Sequence, residues 1–274
     1  MFLHHLANYT FLMKLSVITI NFNNKPGLEK TVRSVMSQTF IDFEYIIVDG
    51  GSTDGSLDII QQNVGAIDTW MSETDKGIYH AMNKGVMIAK GEYLLFLNSG
   101  DWFCNDEVLE VFTKDTNGYD IIYGDQYCHY SDGKIGEDKF PDTLTFYYLG
   151  YLNSLPHQAT LIRRNTLIEH GMYDESMRMN ADWKFFMLAV FKYQCRYLHK
   201  PLFVVNFDKE GLSSDPDQFY LRDKEKNPVM VKEFPNFILY EHDMATINKL
   251  EFYYKYSRIV RVLKTAGILS KFSY

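Results

Sequence analysis

The chain has 274 residues, enough for one large domain or one domain with an appendage. Hydrophobic residues make up 46% and charged residues 23%, which excludes a disordered chain, and a net charge of -7 argues against a general nucleic-acid binder. Its three cysteines, Cys104, Cys128 and Cys195, are far apart and form no Cys-x-x-Cys pair, which points to a reducing compartment and away from a zinc site. No apolar run approaches the ~20 residues of a membrane-crossing helix.

Residues 1–13 are mildly apolar but lack a basic start and a small-residue cleavage site, so they read as a leader or a misassigned start, with Met13 as the natural first residue. Strand and helix then alternate. Residues 15–20 form a strand that ends in Asn21, Phe22, Asn23 and Asn24. Pro26 opens a helix that runs to about Gln38. Residues 44–49 form a second strand, running into Gly50, Gly51, Ser52, Thr53 and Asp54, with a helix from Ser56. Residues 66–72 are a third strand and 77–89 a helix, with Ile78, Met82, Val86 and Ala89 on one face. The apolar run Tyr93 to Leu97 reads as a buried strand and stops abruptly at Asn98, Ser99, Gly100 and Asp101. Another strand covers 119–123.

The second half is less regular. It reads as loop then strand over 154–163, an apolar helix over 182–193, a β-rich stretch over 196–207, a polar loop over 209–216, and helix thereafter. The alternation predicts a mixed, mainly parallel α/β sheet flanked by helices. The division expected is a domain over 14–215 and a helical, basic extension over 216–274. From Lys249 onward that extension carries six Lys/Arg and one Glu, interleaved with aromatic and aliphatic residues. Such a helix could lie on an anionic membrane, or pack on its own domain with a solvated basic face.

Parallel strands bring Asn21, Asp49 and Asp101 to one edge, where open α/β sheets hold ligands. Strand one is followed by Asn-Phe-Asn-Asn, not by a Gly-x-Gly-x-x-Gly turn, and no Walker loop is present. A nucleotide could still bind without a phosphate loop. Asp49 would accept from a base N–H, and Asp101 would hold a divalent cation against a diphosphate. Lys76 and Lys84 could help or could be ordinary surface lysines.

The segments Ser16-Val-Ile-Thr-Ile-Asn21, Ile47-Val-Asp-Gly-Gly-Ser-Thr-Asp-Gly55, Glu73-x-Asp-Lys-Gly-Ile-Tyr79, Ala81-Met-Asn-Lys-Gly85 and Gly91 to Asp101 resemble, in order and spacing, glycosyltransferase family 2. The likeness is strongest to the bacterial branch that builds cell-surface polysaccharides. The resemblance implies the GT-A fold. It implies a nucleoside diphosphate sugar donor, UDP-linked, a glycan or lipid-linked acceptor, and inversion at the sugar carbon. It implies a cytoplasmic or membrane-peripheral enzyme that uses Mg2+ or Mn2+.

Carried over by position, Asp49 contacts the base and Thr19 lines the same pocket. Asp75 and Asn83 lie near the nucleotide and sugar, as do Asn21 and Asn98, and Asp101 binds the metal. The usual first acid of the metal motif is replaced within Asn98 to Gly100, so one carboxylate remains where two are usual. Asp182, opening an apolar helix, matches the acid that takes the acceptor's proton, though an Asp there could simply cap the helix. His157 and Gln158 could contact either sugar or form a satisfied turn. Trp183 could stack on a sugar or sit in the core. The Gly211–Ser214 loop resembles a segment that closes over the donor. The alternatives are a nucleotidyltransferase, which would need a basic triphosphate loop not seen here, or a non-catalytic glycan-binding protein.

Overall fold

A computed structural model describes residues 14–209 and 219–236. The chain divides into two compact units, Met1–Glu225 and Lys226–Tyr274. The leader, the Gly211–Ser214 loop and the basic C-terminal stretch lie outside the described residues.

The first unit begins with β1 (Leu15–Asn21), α1 (Lys25–Met36), β2 (Phe43–Asp49), α2 (Ser56–Gln62), β3 (Thr69–Ser72), α3 (Ile78–Ile88) and β4 (Tyr93–Phe96). It continues with β5 (Trp102–Phe103), α4 (Val108–Phe112), β6 (Ile121–His129), β7 (Ile135–Asp138), β8 (Thr160–Arg163), α5 (Arg164–Glu169), α6 (Ala181–Phe191) and β9 (Tyr197–Asp208). The last described helix is α7 (Phe219–Glu233). In the second unit the described residues continue α7, with Pro228 inside it.

The sheet order is β3-β2-β1-β4-β8-β6-β9-β5, with β7 paired to β6. β3, β2, β1 and β4 run parallel, and β8 is inserted antiparallel between β4 and β6. Every residue of β1 is buried, the pattern of a strand covered on both faces. Strand alternation sends Leu15 and Val17 into the cluster with Leu28, Val32 and Val35 of α1. Ile18 and Val48 point the other way, under α3. There Gly85 lets the helix approach: a Cβ on it would lie 2.6 Å from Ile18 Cγ2.

The expected elements of the first hundred residues form, with the third strand starting only at Thr69. β5, α4, β7 and α5 went unread. They are short, two to six residues, and too brief to show a period.

Candidate active site

The strand ends meet as expected at the carboxyl edge of the parallel strands. Asn21 and Asp49 are register partners on β1 and β2. Asp49 is fully buried and accepts five hydrogen bonds: from Asn21 Nδ2 (2.7 Å), Ser52 Oγ (2.6 Å), Ser72 Oγ (2.6 Å), and the N–H groups of Gly51 (3.1 Å) and Ser52 (2.9 Å). Burial raises its pKa, but the Ser52, Ser72 and Asn21 donors outweigh it, so the carboxyl stays below its ordinary value. The carboxylate's lone pairs are filled, and a base N–H would have to displace one of these donors. In this arrangement Asp49 shapes the Gly50–Gly55 turn.

Several expected ligand residues are structural. Thr19 is fully buried, its hydroxyl 2.8 Å from the Leu97 carbonyl and 3.0 Å from Tyr45 Oη, so it lines no pocket. Asn83 ties α3 to the segment after α5: it donates to Tyr173 O and Glu175 Oε1 (both 2.9 Å) and accepts from Tyr173 N. Gln158 is 3% exposed and donates to Gln126 Oε1 (2.8 Å). Trp183 is 1% exposed, with Nε1 on Leu149 O at 2.6 Å. No face of either is open to a sugar: Gln158 is buried in the turn before β8 and Trp183 on the core side of α6.

Asp75 does lie at the edge. Lys84 (2.6 Å) and His80 (3.0 Å) hold one of its oxygens. Lys84 also reaches Glu73 at 2.7 Å, so it serves these acids and is not a lone surface cation. A Cβ on Gly50 would lie 3.1 Å from Phe22 and 3.3 Å from Asp75 Oδ2. Phe22, 65% exposed, therefore presents a ring beside Asp75 and Gly50. Sequence reading passed over it. An aromatic residue alone among asparagines just past a strand end was the available signal.

The Asn98–Asp101 turn is held from behind by α1. Asn24 caps that helix by accepting from Gly27 N (3.1 Å) and donates to Ser99 O (3.0 Å). Thr31 Oγ1 lies 2.7 Å from Asp101 O and accepts from Gly100 N at 3.0 Å. Gly100 takes a left-handed backbone (φ 112°), which explains the glycine before Asp101. The β5–β9 pairing, Trp102 opposite Asn206 and Phe103 opposite Val205, brings the end of β9 alongside. Asp208 N then donates to Asp101 Oδ1 at 3.1 Å.

Asp101 is 6% exposed, and burial pushes its carboxyl up to about 7. The Asp208 N–H, His157 and Lys30 oppose that rise, while the Asp208 charge adds to it. Lys30 sits 3.3 Å from Asp208 and 4.0 Å over the Trp102 ring. Among the described residues, no three His, Cys, Asp or Glu side chains form a ready metal cage. A buried carboxyl this reluctant to ionise, with a second carboxylate near it, fits a divalent ion that takes its remaining oxygens from a bound diphosphate. Asp208, unread in the sequence, stands where a second acid was missed.

Asp182 is in the first turn of α6, where the helix dipole favours an anion. The capping position belongs to Asn180. Glu225 Oε2 receives the backbone N–H of Met179 and Asn180 just before it. Asp182 accepts from Tyr79 Oη at 2.8 Å and faces His157 Nδ1 at 3.4 Å. Burial raises its pKa, but the His157 hydrogen bond and charge, Tyr79 and the Trp183 N–H outweigh it, so it lies below the usual carboxylate range. His157 Nε2 is 3.2 Å from Asn98 Nδ2. The antiparallel β4–β8 register, Leu94 opposite Ile162, carried past the strand ends brings these two together. Thus the structure joins Asn98, His157 and Asp182 in one row beside Asp101.

Comparison with known proteins identifies the family and the fold. The profile described as Glycosyl transferase family 2 matches residues 16–179. An uncharacterized glycosyltransferase of Mycobacterium tuberculosis is 30% identical over 204 residues, 73% of this chain and 77% of that protein. A PGL/p-HBAD biosynthesis glycosyltransferase of Mycobacterium bovis is 34% identical over 176 residues, 62% of this chain and 67% of that protein. S. aureus TarS 1-349 in complex with UDP-GlcNAc superposes with a TM-score of 0.63 at 19% identity, covering 80% of this chain and 67% of that chain. The fold is thus the GT-A type expected, and the chain belongs to glycosyl transferase family 2, as a glycosyltransferase.

Proposed function

We propose that the enzyme transfers one sugar from a UDP-linked donor to a glycan or lipid-linked acceptor in polysaccharide biosynthesis, with inversion at the sugar carbon. The observation that carries this reading is Asp182. It is an ionised carboxylate at a helix start, joined through His157 and Asn98 to the turn that bears Asp101. A fold neighbour that holds UDP-GlcNAc supports the donor class.

The donor base would lie against the exposed Phe22 ring, beside Asp75, and the diphosphate toward Asp101. Mg2+ or Mn2+ held at Asp101, with Asp208 beside it, would neutralise the leaving diphosphate. Asp182 would take the acceptor hydroxyl's proton as its oxygen attacks the anomeric carbon. The bond to that carbon forms from one face while the bond to the diphosphate oxygen breaks on the other. A lipid-linked acceptor would put the enzyme at the inner face of the cell membrane. No helix among the described residues is long and apolar enough to cross one.

A nucleotide-sugar panel with purified protein should reveal one donor that turns over. Asp182→Asn should abolish its transfer and hydrolysis while leaving UDP binding intact. Full transfer by Asp182→Asn would discard the base assignment. Calorimetry of UDP with Mn2+ should weaken in Asp101→Ala, and unchanged binding would remove the metal from that position.

A further inference from the structure

We infer that Tyr79 and His157 are positioning residues for the base, gripping the two carboxylate oxygens of Asp182 separately and keeping it aimed. The inference rests on the reading of Asp182 as that base. Tyr79 from α3 donates to Oδ1 at 2.8 Å. His157, from the turn before β8, faces Oδ2 at 3.4 Å. Each oxygen thus has its own side-chain donor, from elements far apart in the chain. A carboxylate held at both ends loses the rotation that would blunt a proton transfer.

Both donors are themselves braced. The Tyr79 ring packs on Tyr173 (5.7 Å between centroids), and Tyr173 meets Phe96 of β4 at 5.5 Å. His157 Nε2 faces the Asn98 amide at 3.2 Å. This contact gives a physical role to an asparagine of the turn.

The ionisable groups facing Asp182 are Tyr79 from α3, His157 before β8 and Tyr173 after α5. His157 also acts on Asp101. Burial alone raises the Asp182 pKa. The donors reverse this, at the cost of some intrinsic basicity, so geometry must supply the rate.

The test uses full-length protein with 13Cγ-labelled aspartate, the Asp182 signal being identified by its loss in Asp182→Asn. In Tyr79→Phe, which keeps the ring, and in His157→Ala, the Asp182 midpoint should rise by about one pH unit each. His157→Gln, which keeps an N–H donor, should bring it back toward the parent value. UDP affinity should stay within about twofold, as expected for groups that do not touch the donor. The acid limb of the pH profile for the best UDP-sugar in the panel should move up with the midpoint. Midpoints unmoved in both variants would overturn the inference. Midpoints that move while the acid limb stays would uphold the grip and overturn Asp182 as the base.

Discussion

Replacing Asp49 by asparagine separates two roles for this acid, reading a base or building the loop that surrounds it. In the structure the carboxylate serves five donors. The Asn carbonyl can keep Asn21 and Ser52 Oγ on one side. Its NH2 then meets the N–H groups of Gly51 and Ser52, which lose their acceptor, while Ser72 can rotate to accept. Two buried N–H groups without partners cost about 1–3 kcal/mol each, so the variant should lose about 3–5 kcal/mol. Urea denaturation followed by far-UV dichroism measures this, with the m-value unchanged. The Asp49 pKa lies below its unfolded value, so its stabilisation is full above pH ~4 and fades as pH falls through the folded pKa. Asp49→Asn should lack that acid-side loss. A variant within about 0.5 kcal/mol of the parent that nevertheless failed to bind UDP would refute the loop role.

Asp101 has the opposite sign. Its folded pKa of about 7 lies above the unfolded value, so the ionised form is disfavoured and stability falls as pH rises from about 4 to 7. In chelator, Asp101→Asn should gain up to about 4 kcal/mol at pH 8 and nothing below pH 4, and a loss at pH 8 would contradict the burial argument. Mn2+ should raise the melting temperature of the parent and not of that variant, as differential scanning fluorimetry would show. Trp183→Ala should cost about 3–5 kcal/mol, since it empties a core site and orphans Leu149 O, and a loss under 1 kcal/mol by denaturant melts would place the ring outside the core. Gly91→Ala would put a Cβ 2.5 Å from Ser16 N, and should cost about 2 kcal/mol or more. Gly65→Ala, which meets nothing within 4 Å, should stay within about 0.5 kcal/mol in the same melts.

The strand–helix alternation of residues 15–97 was legible because its strands are mainly apolar and its helices are marked by Pro26 and by the Ile78–Val86 stripe. The same pattern placed Asn21, Asp49 and Asp101 at one edge, and the family motifs pointed to Asp182. Side-chain direction was not legible. Thr19, Asn83, Gln158 and Trp183 stand at the right places in the chain but face the interior, because which side of a strand, helix or turn is covered is set by the packing of that element on the rest of the fold. Asp208 and Phe22 were missed for related reasons. Asp208 lies 107 residues from Asp101 and joins it only through the β5–β9 pairing.

Local order and the gathering of the strand ends at one edge were thus legible in the sequence, since burial on both faces of a strand and turn chemistry at its end are written in neighbouring residues. The contacts of Tyr79 and His157 with Asp182, the contact of Asn98 with His157, and the approach of Asp208 to Asp101 were decided by tertiary structure. Each depends on registers between elements distant in the chain, and no local pattern encodes which residue will stand opposite which across a sheet.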